Sequence, residues 1–491
     1  MSDSEFRLES DSVGTKAIPA DAYYGVHSLR AKENFSITGI GMHKQLIRAI
    51  AYVKKACAIA NCKAGLLQTD KAAAIGKACD EIVSGKLHDS FIVDAIQGGA
   101  GTSMNMNANE VIANRALEIM GLPKGDYASI SPNDEVNMGQ STNDVIPTAG
   151  KIASLYLLND LEEQLEKLYD SFFKKAVEYD GVLKMGRTQL EDAVPIRLGQ
   201  EFRAYSTAVK RTSTRLKEAK RELLKVNLGG TAIGTGINAD TNYELLVVNE
   251  LAALTGLDLV KASDLIDSTQ NLDEFVAVSG SIKACAVALS KIANDLRLMA
   301  SGPLTGLGEI NLPAKQNGSS IMPGKINPVI PEVINQIAFN IIGNDQTITA
   351  ACEAGQLELN AFEPVIFFNL FQSIETLTHG IDTFIVNCID GITVNKEHCE
   401  KLMDSSIGTV TALAPYIGYN QSAEIAKESL RTGASVKKLV LERGLLTEDE
   451  LKKLMDPVQM TAPGVDAVLV AKIKERKRKK KQEEEAKAKK Q

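Results

Sequence analysis

The chain has 491 residues, of which 44% are hydrophobic and 5% aromatic, and its formal net charge is −7. A chain of this length and composition can bury a large core, and we expect it to divide into two or three domains. Its first residues lack the basic and apolar segments of a signal peptide, and no apolar run free of charge is long enough to cross a bilayer. These features predict a cytoplasmic protein with no membrane partner.

The distribution of charged and metal-binding residue types restricts the function further. The last 21 residues, 471–491, contain eleven Lys or Arg and four Glu, so the rest of the chain is acidic. This distribution is not typical of a nucleic-acid-binding surface, and we expect no nucleic-acid partner. The five His have no paired spacing on one helix and the seven Cys contain no Cys-x-x-Cys. We therefore expect no metal site, no cofactor and free thiols in a reducing compartment.

Along the chain, the hydrophobic pattern predicts a mainly α protein of three domains and a tail. Residues 1–142 combine short helical patterns with Gly and Asn, and form the predicted N-terminal domain. Residues 143–395 are the central domain, and residues 396–470 a small C-terminal domain with shorter helices. Residues 471–491 are a basic low-complexity tail, either disordered or a frayed helix. It is a solvated tail or, alternatively, an interaction arm for acidic partners or membranes.

The central domain is predicted to be a bundle of five long helices, at 148–178, 196–225, 272–300, 329–356 and 362–389. In the second, apolar residues recur at three- and four-residue steps from Leu198 through Phe202 to Tyr205, on one helical face. A helix of 30 residues is about 45 Å long. Five such rods are too long for a compact single-chain globule, so we expect copies of the chain to assemble.

The segment 272–300 supports assembly. It carries Ala and Ser on all sides and few charged residues, which permits close approach of other helices on several faces. We therefore expect this helix at the centre of an oligomer; a buried core helix of a monomer is the alternative.

Four polar, Gly-containing clusters are candidates for chemistry, at 101–107, 139–144, 186–195 and 318–328. Each is expected at the end of a helix, where free backbone N–H groups can receive an anion. Each also has an ordinary structural interpretation, because Ser, Thr and Asn before a helix are common N-caps and Gly-Thr-Ser is a common turn. The fourth cluster contains Gly318, Pro323, Gly324 and Pro328, which exclude a regular helix or a buried strand. It predicts a mobile loop that presents hydroxyls, a Lys and an Asn to a small anion.

In this order, the four clusters resemble conserved regions of the aspartase/fumarase superfamily, and the likeness runs from about Leu8 to Pro463. Members of this superfamily eliminate a group beta to a carboxylate and release fumarate. The resemblance implies a small dicarboxylate substrate and a homotetramer with a tetrameric helical core. It also implies active sites that are each shared between three subunits.

The resemblance implies that Ser319 is the catalytic base and acts as an alkoxide, which the Gly-rich loop and the nearby Lys stabilise in a closed site. The alternative is that Ser319 caps a turn and that Ser320 or a water is the base. Removal of the substrate proton produces an aci-carboxylate with about two negative charges, which hydroxyl donors stabilise. The donors assigned to it are Thr102, Ser141, Thr142 and Ser320.

The second carboxylate is assigned to Lys325 and Asn327, with Thr188 opposite, because a buried dianion without a cation is costly. Gln189 and Asn143 are assigned to the leaving group, and Glu332 supports Gln189. Gln cannot act as an acid or base near neutral pH, so Gln189 favours ammonia from L-aspartate over water, whose departure benefits from a proton donor. A fumarate hydratase, acting on L-malate and fumarate, and a catalytically silent structural protein of the same fold are the alternatives.

Overall fold

The computed structural model describes residues 5–318 and 320–488, and it is mainly helical, as predicted. The α-helices in the described residues are α1 Val26–Asn34, α2 Lys44–Lys63, α3 Thr69–Val83, α4 Thr102–Ile119, α5 Thr142–Glu178, α6 Leu198–Lys220, α7 Thr241–Thr255, α8 Asp267–Gln270, α9 Asp273–Met299, α10 Val329–Glu353, α11 Glu363–Asn387, α12 Lys396–Ser405, α13 Thr409–Ile417, α14 Tyr419–Thr432, α15 Val436–Glu442, α16 Glu448–Leu454, α17 Pro457–Thr461 and α18 Ala467–Ala488. A single π-helical turn at Pro132–Val136 precedes α5.

Within residues 5–318 and 320–488, the strands are short and form four two-stranded sheets. They are β1 Phe6–Asp11, β2 Gly14–Pro19, β3 Leu183–Thr188, β4 Glu191–Arg197, β5 Lys225–Val226, β6 Val260–Lys261, β7 Ile310–Asn311 and β8 Thr393–Val394. The pairs β1–β2, β3–β4 and β7–β8 are antiparallel, and β5–β6 is parallel. None of these sheets was expected from the periodicity. Four of the described strands have only two residues each, and the longer ones do not alternate apolar and polar residues over their whole length.

The five predicted long helices are confirmed as α5, α6, α9, α10 and α11. The largest discrepancy is at α5, which begins at Thr142 and contains Pro147 inside the helix. Proline lacks the N–H that would bond to the carbonyl of Asn143. In the structure Asn227 Nδ2 donates to that carbonyl at 3.0 Å. A side chain from a distant segment therefore replaces the missing backbone donor and allows the helix to start six residues before 148.

The chain divides into two compact units, and each of the five long helices contributes residues to both. The first unit comprises residues 1–165, 211–289 and 336–381. Here the Phe275 ring of α9 and the Phe367 ring of α11 meet edge to face at 5.4 Å. Ser279 Oγ of α9 donates to Asp345 Oδ1 of α10 at 2.7 Å. The long helices thus pack together as a bundle inside this unit.

The second unit comprises residues 166–210, 290–335 and 382–491. Its helical core contains Phe172 of α5, which contacts Phe202 of α6 and Phe384 of α11. A separate apolar cluster is formed by α13–α16 and α18, and Ile473 of α18 is fully buried in it. The first residues of the predicted tail therefore belong to a packed core. The domain boundaries at 142, 395 and 470 stay a prediction.

One helix among the described residues, α9, is long and apolar enough to cross a membrane, judged by length and composition alone. Of its most apolar stretch, 44% is buried, and a core helix of a soluble protein passes the same test. Lys283 lies within α9 and forms an ion pair with Asp345 of α10. Such a pair suits a helix that packs against other helices.

The close approach of α5 and α11 at Gly150 generates a stability prediction. A Cβ at Gly150 would lie 2.1 Å from Phe367 Cζ, so Gly150→Ala forces the ring to move and should destabilise the protein by about 1–3 kcal/mol. Gly76→Ala on α3 is the matched control, since its nearest contact is at 3.9 Å; it should be neutral or stabilising by up to about 1 kcal/mol. Urea unfolding at equal protein concentration measures both. Equal stability of the two variants would contradict the packing described.

Candidate active site

The first cluster lies at the start of α4. Gly101 adopts the left-handed conformation, with φ 81°, and a Cβ there would lie 2.9 Å from Ile146 Cγ2. Glycine is therefore required at the position that turns the chain into the helix. Thr102 is the first helical residue, and its exposed hydroxyl donates to the carbonyl of Gly99 at 2.6 Å. A cavity of about 220 Å³ adjoins this helix start and is lined by Thr102, His27 and other residues.

The second cluster forms the start of α5. Ser141 Oγ accepts the N–H of Asn143 at 3.2 Å, and the N–H of Ser141 donates to Asp144 Oδ1 at 2.9 Å. This reciprocal pair caps the helix. The side chains of Ser141, Thr142 and Asn143 are half-buried. Two hydroxyls, an amide and the helix N-terminus thus share one short segment that favours an anion.

The side chain of Asn143 has a defined direction. Its Nδ2 donates to the carbonyl of Ala232 at 2.7 Å. The opposite end of the amide is the oxygen, which can only accept hydrogen bonds. Asn143 is thereby suited to receive an N–H donor, such as an ammonium group, rather than a carboxylate.

Asp144 connects the start of α5 to a second segment of the chain. It is fully buried, and its Oδ2 accepts the N–H groups of Gly229 and Thr231, both at 3.0 Å. Burial raises the pKa of Asp144 to about 6. The carboxylate therefore ties the start of α5 to the Gly229–Thr231 segment.

Lys54, in the middle of α2, is the second buried charge of this region. It is fully buried, and its Nζ donates to Asn137 Oδ1 at 2.8 Å and to Gln140 Oε1 at 2.9 Å. Burial lowers the pKa of Lys54 to about 8. Both acceptors lie in the residues that immediately precede Ser141.

The third cluster does not lie at a helix end, and that expectation is wrong. It forms the hairpin of β3 and β4, in which Gln189 and Leu190 make the turn with φ 55° and 66°. Two consecutive non-glycine residues with positive φ are uncommon, although a two-residue hairpin turn of this type requires them. The turn exposes Thr188 and Gln189.

A buried carboxylate anchors this hairpin in the second unit. Glu309 is fully buried, and it forms ion pairs with Lys184 Nζ at 3.0 Å and Arg187 Nη1 at 2.7 Å. Arg187 directly precedes Thr188. The ion pairs hold the base of the hairpin while its tip faces outward.

The fourth cluster is an irregular loop that leads into α10, as predicted. Ser319, the predicted base, lies outside the described residues. A Cβ at Gly318 would lie 1.7 Å from the carbonyl oxygen of Lys325, so only glycine allows the two ends of the loop to meet. Ser320 and Lys325 are exposed and Asn327 is half-buried.

The supporting residue Glu332 lies on the first turn of α10. Its Oε1 is 4.0 Å from Arg297 Nη2, and both side chains remain more than a third exposed. An exposed contact at this distance contributes little stability. Its pairing with Gln189 stays a prediction.

The described residues thus bring together Thr188 with Gln189, and Ser141 with Thr142 and Asn143, each set on one rigid support. Ser320, Lys325 and Asn327 share the loop. No group of three or more His, Cys, Asp and Glu that could hold a metal ion occurs in residues 5–318 and 320–488.

Two protein families match the chain: the Lyase family over residues 14–343 and the Fumarase C C-terminus over residues 410–462. The chain belongs to the aspartase/fumarase superfamily. A relative named aspartate ammonia-lyase from Bacillus subtilis is 56% identical over 461 residues, which cover 94% of this chain and 97% of the relative. A relative of the same name from Escherichia coli is 50% identical over 467 residues, covering 94% and 98%.

Solved structures of the superfamily share the fold. A fumarate lyase from Brucella melitensis, described as a delta crystallin bound to cobalt, has a TM-score of 0.91 and 50% identity, and covers 93% of this chain and 100% of its own. A class II fumarase from Schistosoma mansoni has a TM-score of 0.88 and 32% identity, with coverage of 94% and 100%.

Lys54 and Glu309 were not expected from the sequence to support the site. Asp144 falls in the second cluster, but its role as a buried support was not expected. Of these residues, Lys54 could have been identified from the sequence. Lys54 falls on the apolar face of α2, three residues from Ala51 and Cys57, where a charged residue is rarely buried without a partner. Its partners Asn137 and Gln140 are distant in sequence, so the pattern alone could not identify them.

Another cavity lies within the first unit. It has a volume of about 1030 Å³ and is lined mainly by α11 and the start of α2, including Phe367, Phe371 and His43. None of the predicted site residues of the superfamily lines it. A large volume alone therefore does not identify the predicted site.

The raised pKa of Asp144 generates a pH prediction. The folded pKa of Asp144 is about 6, whereas the ordinary value for an aspartate is 3.8. Its contribution to stability is therefore complete below pH 3.8 and is lost as pH rises through 6. The free energy of unfolding lost in Asp144→Asn should therefore be larger at pH 5 than at pH 7.5, by about 1.4 kcal/mol.

Urea unfolding of both proteins at both pH values measures this difference. Groups that do not interact with Asp144 cancel between the two proteins. The pKa of Lys54, which Asp144 raises, falls in the variant. Asp134→Asn serves as the control, since this carboxylate lies nearby in the π-helical turn but is exposed. A difference that is constant with pH would contradict the assignment.

Proposed function

We propose that the protein is a carbon–nitrogen lyase that reversibly removes ammonia from L-aspartate and releases fumarate. The observation that carries this proposal is the segment Ser141–Asn143. It presents two hydroxyls at a helix N-terminus, which suit a carboxylate, beside an amide oxygen directed by Ala232, which suits an ammonium group. The relatives named aspartate ammonia-lyase, at 50–56% identity over nearly the full length, support the same reaction.

The carboxylate beside the reacting carbon needs the strongest support. Loss of the Cβ proton delocalises charge into this carboxylate and forms an aci-carboxylate with about two negative charges. Thr102, Ser141, Thr142 and Ser320 are proposed as its hydrogen-bond donors. The Thr102 hydroxyl donates to the carbonyl of Gly99 in the structure, so it must turn away from that acceptor to donate to the substrate. The N-terminus of α5 adds a favourable electrostatic field, and donors fixed before the reaction need no reorganisation during it.

The other carboxylate is proposed to bind Lys325, Asn327 and Thr188. The exposed side chain of Lys325 has no hydrogen bond or ion pair with the rest of the described chain, so its charge is available to a ligand. Asn327 and Thr188 add neutral donors. A cation in this position offsets the cost of enclosing a dianion.

Ser319 is proposed as the base. Its alkoxide takes the Cβ proton, the electron pair forms the new carbon–carbon double bond, and the carbon–nitrogen bond breaks on the opposite face. The nitrogen leaves with the electrons of that bond as ammonia, in an anti elimination. The loop 318–328 closes over bound substrate, which excludes water and stabilises the alkoxide.

Gln189 and Asn143 are proposed to bind the leaving amino group, with Glu332 behind Gln189. The substrate ammonium already carries the protons of its product, so a neutral amide is sufficient here. A hydratase would gain from an acid at this position, because hydroxide is a poor leaving group. Hydration of fumarate is the second candidate function, and the 32% identical class II fumarase shows that this fold accommodates it.

We further propose a homotetramer in which three subunits contribute to each site. Several donors are exposed in the single chain, including Thr102, Thr188 and Lys325, and such groups need a partner surface to form a closed pocket. Exposed apolar residues on the long helices, among them Phe339 at 65% and Val287 at 49%, support assembly. Cytoplasmic location and the absence of a cofactor belong to the same proposal.

The substrate assignment predicts a clear preference. Purified protein should form fumarate from L-aspartate, measured by ultraviolet absorbance, at a kcat/KM at least about 1000-fold above that for L-malate, because Gln189 cannot protonate a departing hydroxide. Preference for L-malate would establish a hydratase. Turnover of neither substrate would favour a silent structural protein.

The base assignment predicts that Ser319→Ala lowers kcat by about 100- to 10,000-fold while the KM for L-aspartate changes little. Ser320→Ala is the matched comparison on the same loop. It should lose one donor, lower kcat less than Ser319→Ala does, and keep the exchange of the substrate Cβ proton with solvent. Retained turnover in Ser319→Ala with loss in Ser320→Ala would reverse the two roles.

A further inference from the structure

A chain of four buried or half-buried side chains runs beneath the proposed carboxylate site. It begins at Lys54 of α2 and passes through Asn137, which lies just after the π-helical turn. From there it passes through Asn105 of α4 and ends at Thr142 of α5. Lys54 Nζ is 2.8 Å from Asn137 Oδ1, Asn105 Nδ2 is 3.2 Å from the same oxygen, and Asn105 Nδ2 is 3.2 Å from Thr142 Oγ1. All four residues belong to the first unit.

Lys54 determines the direction of this chain. An ammonium group has three donors and no acceptor, so Asn137 must present its oxygen to Lys54. The other end of the Asn137 amide agrees, because its Nδ2 donates to the carbonyl of Gln140 at 3.2 Å. The orientation of Asn137 is therefore fixed by a charge that cannot be reversed.

Asn137 in turn determines the orientation of Asn105. The reverse orientation of Asn105 would place its oxygen against Asn137 Oδ1, so that two acceptors would face each other. The observed orientation leaves Asn105 Oδ1 buried without a hydrogen-bond partner, which costs about 1–3 kcal/mol. A cost of this size persists only where the surrounding contacts impose it.

The orientation of Asn105 determines whether the Thr142 hydroxyl donates or accepts. A threonine hydroxyl can donate or accept, and here Asn105 Nδ2 supplies the inner hydrogen bond. The oxygen of Thr142 is therefore the acceptor, and its proton is free to point outward. No protein acceptor for that proton is recorded in the described part of the chain.

We propose that Lys54 is a positioning residue that acts through Asn137 and Asn105 to fix Thr142 as a hydrogen-bond donor to the substrate carboxylate. This inference rests on the proposed function. Because the aci-carboxylate gains negative charge during the reaction, a donor held in this direction stabilises the transition state more than the bound substrate. A hydroxyl free to turn inward would donate to the protein and lose that effect.

The test is Lys54→Met, which removes the charge that fixes Asn137 and leaves only neutral hydrogen bonds, to the Gln140 carbonyl and from asparagine side chains, to orient it. Fumarate formation from L-aspartate should show kcat lowered by about 100-fold, the loss typical of one missing oxyanion donor, with KM within about threefold. Asn109→Leu is the matched control. Asn109 lies on the same helix as Asn105 and donates to the same Asn137 oxygen at 3.2 Å, but it does not contact Thr142, so kcat should stay within about threefold.

A double-mutant cycle separates this role from a general effect on folding. In a Thr142→Val background the hydroxyl is absent, so Lys54→Met should lower kcat by less than about twofold more. A full additional loss there would overturn the proposal, as would an unchanged kcat in Lys54→Met alone. Thermal unfolding and light scattering check that each variant folds and assembles.

Asn105→Leu provides a second route if Lys54→Met does not fold. It removes only the last donor of the chain, so the same cycle with Thr142→Val applies, and full additivity would again refute the proposal. Failure of the proposed function is distinguishable, because the wild-type protein would then form no fumarate from L-aspartate. Failure of this inference leaves wild-type turnover intact and appears only in the cycle.

Discussion

The carboxylate of Asp144 is the constraint on which the first half of the proposed site depends. It has no access to water, and its compensation comes from the backbone N–H groups of Ser141, Gly229 and Thr231. A buried carboxylate without such donors would protonate or pull the segments apart. Because these donors belong to two segments distant in sequence, the carboxylate fixes the turn before α5 and the loop at 229–231 together. The positions of the Ser141–Asn143 side chains depend on these hydrogen bonds.

The second unit also contains a buried carboxylate that fixes a segment of the proposed site, here a hairpin and not a helix start. Buried Glu309 accepts Lys184 and Arg187 and so fixes the base of the β3–β4 hairpin, while Thr188 and Gln189 at its tip stay exposed. In both units a carboxylate shielded from water is paired with several donors. In the first unit the groups offered to a ligand are the three residues before Asp144. In the second unit they are the two residues after Arg187, which is a partner of Glu309. Removal of either carboxylate would leave buried donors unpaired, which is more costly than loss of the contact alone.

The long helices were predictable because their apolar residues repeat over many turns, and helix periodicity is reliable at that length. The start of α5 was not, because Pro147 is an ordinary helix boundary and only the contact with Asn227, about eighty residues later, makes it tolerable. The hairpin was missed for a related reason. Its turn residues are Gln189 and Leu190, whereas the recognisable sequence signature for such a turn is Asn-Gly or Asp-Gly.

The proposed site shows the same limit at the level of single atoms. The residue types in the four clusters were sufficient to nominate donors, because hydroxyls, amides and a Lys near Gly-rich turns are what a dicarboxylate needs. They were not sufficient to say which way each donor points. Asn143 offers oxygen or nitrogen, and only the Ala232 carbonyl selects the oxygen. Thr142 donates or accepts, and only Asn105 decides. Selectivity between a carboxylate and an ammonium group depends on these directions, so it is encoded in the neighbours of the site residues. Those neighbours are identified only when the helices are packed together.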